Sequence, residues 1–130
     1  MANIQKIYSD IDFTFTKKPV GADVALSYDT QAVTRSIRNL LNTKNYDRLF
    51  NPDLGSQITG LLFENMSSVV SATMESMIVN MIRNYEPRAL LEKVSVTAMP
   101  DENAYSVSIT FFIENATLPT NVTILLERNR

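Results

Sequence analysis

The sequence predicts an α+β fold: about three helices packed on one face of a small, mainly antiparallel sheet of about three C-terminal strands, with an extended N-terminal arm. Two observations carry that prediction. Hydrophobic periodicity is helical up to about residue 90 and has a period of two beyond it, and the switch occurs once. The chain has 130 residues, 45% hydrophobic and 20% charged, enough for one core and not for two, so residues 1–130 are expected to form a single domain.

Residues 1–28 form the arm. Ile11, Phe13 and Phe15 alternate with Asp12, Thr14 and Thr16, as in an extended segment, and Lys17-Lys18-Pro19 ends it. Residues 29–86 are the helical part. A first helix is expected from Asp29, with Asp29 or Thr30 capping its free N–H groups and Val33, Ile37, Leu40 and Leu41 on one face. Residues 42–55 contain Asn-Pro and a glycine and read as a structured loop. A short helix at about 56–63 buries Ile58, Leu61 and Leu62. The third helix starts at Ser67 or Ser68 and carries a broad apolar stripe of Val70, Met74, Met77, Ile78, Met81, Ile82 and Tyr85, which Pro87 stops. Residues 91–128 are the sheet. Val94, Val96 and Ala98 mark one strand, Tyr105 to Ile113 a second, and Val122, Ile124 and Leu126 a third, with Pro100-Asp101-Glu102-Asn103 as a hairpin connection.

The absences restrict the chemistry. There is no Cys, His or Trp, which excludes thiolate nucleophiles, Ser-His-Asp triads, zinc fingers, imidazole-ligated metals and disulfides. Only Gly21, Gly55 and Gly60 are present, so neither GxGxxG nor GxxxxGK[ST] occurs, and no cofactor or metal is expected. Twelve basic against fourteen acidic residues leave no basic face for nucleic acid. No window has the apolar length of a membrane span, and MANIQKIYSDID lacks the apolar core of a signal peptide, so assembly in the cytosol is expected.

Four features remain as functional candidates. Glu64, Glu75 and Glu86 are the carboxylates that a glycosidase would need, although sequence cannot show that any two converge. Met74, Met77 and Met81, with Met66 upstream, form either an adaptable binding surface or, at this spacing beside Ile78 and Ile82, part of the core. Glu86-Pro87-Arg88 places an acid and a base on either side of a proline at a helix terminus, which reads as a surface ion pair or as a fixed pair of charges offered to a partner. The last strand, around Val122, Ile124 and Leu126, reads as a sheet edge that either accepts another chain's strand or is covered by the N-terminal arm.

These motifs occur in an order that resembles a known family. SDID at 9–12, Thr43, Arg48 four positions before Pro52, then Pro52-Asp53-Leu54-Gly55, Leu62-Phe63-Glu64-Asn65 and Arg83-Asn84-Tyr85-Glu86-Pro87-Arg88 resemble the small baseplate wedge proteins, or sheath initiators, of contractile-tailed phages. That family has a counterpart in type VI secretion baseplates, and the resemblance spans about residues 4–127. One departure is visible: the family commonly has glycine two residues before the loop arginine, where this chain has Tyr46.

The resemblance implies a structural role. Family members bind larger wedge proteins through the Glu-Pro-Arg region, here Glu86, Pro87 and Arg88, near hub and tube-proximal proteins. They present a sheath-like sheet to the tail sheath subunit, here by strand addition at Val122, Ile124 and Leu126. The expected location is the virion tail baseplate, with no enzyme activity, no nucleic acid and no membrane involved. The competing reading is a baseplate-associated cell-wall lysozyme using Glu64 and Glu86.

Overall fold

A computed structural model describes residues 8–11, 14–15, 17, 26–114 and 116–128. The expected Phe13 and the Lys18-Pro19 stop lie outside them. The order is β1 (Ser9–Ile11), β2 (Leu26–Tyr28), α1 (Thr30–Asn42), α2 (Ile58–Leu61), α3 (Ser68–Tyr85), β3 (Ala89–Met99), a 3-10 turn (Pro100–Glu102), β4 (Ala104–Ile113) and β5 (Thr120–Glu127). The expected α+β fold is what forms.

The arm contributes a small ribbon in which β1 pairs antiparallel with β2, Ser9 opposite Tyr28 and Ile11 opposite Leu26. Ile11 and Phe15 stay exposed, so the alternation read in the arm does not bury an apolar face. Asp29 precedes α1 but does not cap it. Its φ of 45° turns the carboxylate away from the first helical turn, and Oδ1 accepts from the Tyr8 N–H at 3.0 Å. The Asp29 N–H donates back to the Tyr8 carbonyl at 2.8 Å, so this carboxylate fastens the arm rather than the helix. At α3 the helix begins at Ser68, within the expected start, and the Ser67 hydroxyl caps it by accepting from the Val70 N–H. The short helix is a single turn, four residues rather than eight.

The main sheet has the order β3-β4-β5, antiparallel throughout. Its inner face is built from rows across the three strands: Val94, Ile109 and Val122; Val96, Val107 and Ile124; Ala98, Tyr105 and Leu126. Against these rows pack Val33, Ile37 and Leu41 of α1 and Val70, Met74, Ile78 and Ile82 of α3, all buried in one cluster. Met74 and Met81 are therefore core, as their spacing allowed, and Met77 is half-buried.

β3 begins at Ala89, five residues before the first alternating valine. The register slips between Leu91 and Lys93, a bulge at Glu92. Ahead of it odd-numbered residues face inward, with Ala89 opposite Ile113 and Leu91 opposite Phe111; after it even-numbered residues do. The hairpin turn closes on Asn103 in the left-handed region, φ 48°.

Loop 43–57 is tightly determined. The Tyr46 N–H donates to the Pro52 carbonyl at 2.8 Å, the Lys44 N–H to the Asp47 carboxylate at 2.9 Å, and the Tyr85 hydroxyl to the Asp53 carbonyl at 2.9 Å. Gly55 has φ 121°, and a Cβ there would sit 2.6 Å from the Thr43 carbonyl oxygen, so only glycine closes the loop. Tyr46, at the position where the resembled family has glycine, itself has φ 71°.

Candidate functional site

Three surfaces follow from this architecture. The first is the corner between α3 and β3. Helix α3 ends at Tyr85 because Pro87 disfavours helical geometry at Glu86, and the Glu86 N–H closes the last turn on the Ile82 carbonyl at 2.8 Å. That position turns the Glu86 side chain inward, where it is 2% exposed. Arg88 answers with a bidentate pair, Nε to Oε1 at 2.5 Å and Nη2 to Oε2 at 2.8 Å. The two charges are thus spent on each other, and the weak surface ion pair considered from sequence is a desolvated one. The hydrogen bond to Glu86 raises the Arg88 guanidinium above its ordinary pKa, against partial burial, which lowers it.

Sequence gave no sign of what lies over this pair. The Arg88 guanidinium stands 5.5 Å from the centre of the Tyr8 ring, and the Tyr8 hydroxyl donates to Glu114 Oε2 at 2.9 Å. That bond, with some desolvation and the Glu114 charge, raises the Tyr8 phenol above its usual value. The arm, the corner and the end of β4 are joined through Tyr8, whose ring meets the guanidinium and whose hydroxyl meets Glu114. Of the predicted triplet, Pro87 is exposed, the Arg88 side chain is 28% exposed and Glu86 is enclosed. Arg83, Pro87 and the 59%-exposed Leu90 border a shallow depression beside them.

The second surface is a sheet edge. The outer side of β3 is guarded: α3 runs alongside it, Glu75 Oε1 accepts the outward Val96 N–H at 2.9 Å, and the bulge carries exposed Glu92 and Lys93. On β5 no second strand pairs among the described residues. The arm strand β1 lies in its own ribbon with β2, so among the described residues it does not cover this edge.

The direction of the β5 backbone groups follows from two hydrogen bonds. In an antiparallel ladder the N–H and C=O of one residue point to the same neighbour, and successive residues alternate. Because the Val96 N–H points away from β4, its partner Val107 must bond to β5, at Ile124. The Arg128 N–H donating to the Asn103 carbonyl at 3.1 Å gives the same parity. Val122, Ile124 and Leu126 therefore turn their backbone groups inward to β4, and their side chains, 6–8% exposed, into the core. The outward groups belong to Asn121, Thr123, Leu125 and Glu127. The strand named from sequence is at the edge, but the residues able to receive another strand are displaced by one.

The third surface is the tip of loop 43–57, where Tyr46, Leu49 and Phe50 are 80%, 92% and 101% exposed on a hydrogen-bonded frame.

Two of the three candidate carboxylates are engaged elsewhere. Glu86 is enclosed with both oxygens on Arg88, Glu75 holds a backbone N–H, and Glu64 lies exposed after α2. Among the described residues no three His, Cys, Asp or Glu side chains gather to hold a metal ion, and no helix is long and apolar enough to cross a membrane.

Residues 27–117 match the family model described as baseplate wedge protein gp25. The chain is 35% identical over 109 residues to baseplate wedge protein gp25 of Enterobacteria phage T4, covering 84% of this chain and 80% of that protein. Among solved structures, a Geobacter sulfurreducens protein described as a tail lysozyme superposes with a TM-score of 0.74 at 20% identity, over 82% of this chain and 97% of that one. A chain of the anti-feeding prophage baseplate superposes with a TM-score of 0.63 at 22% identity, over 95% of this chain and 87% of that one. At those identities the two likenesses show the fold.

Proposed function

This chain belongs to the baseplate wedge protein gp25 family, and on that premise we propose that it starts the tail sheath by offering the open edge of β5 to a strand of the first sheath subunit. As a member of the family it is a structural component of a contractile-tail baseplate wedge, and so of the virion. The observation that carries the finer reading is the asymmetry of the sheet: β3 is closed by Glu75 and its bulge, while the ladder of Thr123 and Leu125 has no strand beside it among the described residues. Larger wedge proteins would dock at the α3–β3 corner, on Pro87, Arg88 and Leu90. Glu86 acts there from beneath, by fixing the guanidinium. Assembly would take place in the host cytoplasm, with no catalytic step. The engaged states of Glu86 and Glu75 argue against a glycosidase, and the neighbour described as a lysozyme supports a shared fold.

Thr123→Pro tests this reading. It removes one outward N–H and leaves the β4–β5 ladder whole, since proline is tolerated on a free edge. Baseplates carrying it should assemble and fail to start sheath, as seen by electron microscopy. Sheaths of normal frequency on those baseplates would defeat the proposal. Ile124→Pro is the contrast, because it breaks the bond to Val107 and should unfold the sheet.

A further inference from the structure

A groove of about 360 Å³ runs beside the C-terminal half of β5. Leu125 and Leu126 both line it although they point to opposite sheet faces, so it follows the edge of the strand rather than either face. Its far wall is mixed: Leu41 at the end of α1 and Ile58, Leu62 and Phe63 in and after α2 give it an apolar stretch, flanked by Asn42, Lys44 and Thr59. Phe63 is 51% exposed and Leu125 45% exposed, large apolar surfaces at the mouth of a groove whose floor is buried. Arg128 closes one end, its guanidinium 5.4 Å from the centre of the Phe63 ring, with Nε buried and without a hydrogen-bond partner among the described residues.

An added strand would lie about 4.8 Å from β5 and send alternate side chains to either side of the sheet. The inward ones would enter this groove. We propose that the groove is a side-chain pocket that reads the incoming strand: it takes one large aliphatic residue on its inner side, against Leu62 and Phe63. This rests on the strand-addition reading and deepens it. Backbone bonding alone is indifferent to sequence and would tolerate sliding, and a slip of one residue would take the aliphatic side chain out of the pocket. The pocket therefore sets the register in which the first strand is accepted. Its occupant is an extended segment with one leucine-sized apolar residue among polar neighbours.

The test uses the full chain and two capped heptapeptides that alternate threonine and serine, one with leucine at its centre and one with serine, titrated by NMR. The leucine peptide should bind at least about tenfold more tightly, the worth of burying one such side chain, and should shift the signals of Phe63 and Leu62. Thr59→Phe, which fills the groove, and Phe63→Ala, which opens its wall, should each reduce the preference below about threefold. Equal affinity for the two peptides, no binding of the leucine peptide, or a preference that survives Thr59→Phe overturns the pocket. Thr123→Pro should weaken both peptides. If it weakens neither, strand addition itself falls, a failure distinct from loss of the leucine preference alone.

Discussion

Truncating Arg88 tests how the α3–β3 corner is held. Arg88→Ala leaves the Glu86 carboxylate where it is, 2% exposed and with neither oxygen paired. Removing one member of a buried pair costs about 3–5 kcal/mol, because the remaining charge stays desolvated. Against a total stability of about 5–15 kcal/mol, that loss leaves the domain marginal. With a urea slope of about 2 kcal/mol/M, the unfolding midpoint should fall by about 2 M with the slope unchanged. Arg88→Glu should be worse, since it sets a second carboxylate against Glu86. The double variant Glu86→Leu, Arg88→Met removes both charges together and should recover most of the loss, giving a coupling energy above about 2 kcal/mol. A loss below about 1 kcal/mol for Arg88→Ala, or a double variant no more stable than the single one, would refute a desolvated pair. The folded double variant also separates folding from docking: incorporation into wedges at the normal level would mean that the pair only shapes the corner.

Three other predictions rest on single groups. Tyr46→Gly should raise stability by about 0.5–1 kcal/mol in urea denaturation, since Tyr46 holds φ 71°, a region that glycine enters without a Cβ clash. Tyr105→Phe should be neutral or stabilising in the same assay, because the Tyr105 hydroxyl is buried without a hydrogen-bond partner among the described residues; a loss above about 1 kcal/mol would reveal one. Alkaline titration should release the arm. Tyr8 has its pKa raised in the folded state, chiefly by its bond to Glu114, so its contribution is complete below the unfolded value of 10.0 and is lost as pH rises through the folded one. Arm amides should then exchange faster at high pH in the native chain, and Tyr8→Phe should remove that step. Tyr105, raised by burial and by Glu64, titrates in the same direction, so the comparison needs Tyr105→Phe as well.

What the sequence exposed and what it concealed have physical causes. α3 was legible because eighteen residues of helix carry one apolar stripe between a serine cap and a proline stop. β4 was legible because a central strand alternates without interruption from Tyr105 to Ile113. β3 was half-hidden, since the bulge at Glu92 reverses the parity of inward residues and makes Ala89 and Leu91 look out of phase with Val94. β2 is three residues long, too short for periodicity. The burial of Glu86 was hidden because a charged residue after a helix ordinarily faces water, and it comes with Arg88 reaching back two positions to pair it. The edge residues were displaced by one because alternation of side chains tells which face a residue occupies and nothing about which neighbour its backbone bonds to. That parity came from Glu75 on Val96 and from Arg128 on Asn103, contacts between distant residues.

Residue-resolved hydrogen exchange, on the free protein and on baseplates bearing sheath, tests the open edge most directly. In the free protein the amides of Thr123 and Leu125 should exchange rapidly and that of Ile124 slowly, because the first two point away from β4 and the third bonds to Val107. In the assembly Thr123 and Leu125 should gain about a hundredfold protection while Ile124 is unchanged, as a second ladder forms on the outer side. Slow exchange at Thr123 and Leu125 in the free chain, or rapid exchange that persists once sheath is attached, would contradict strand addition at β5.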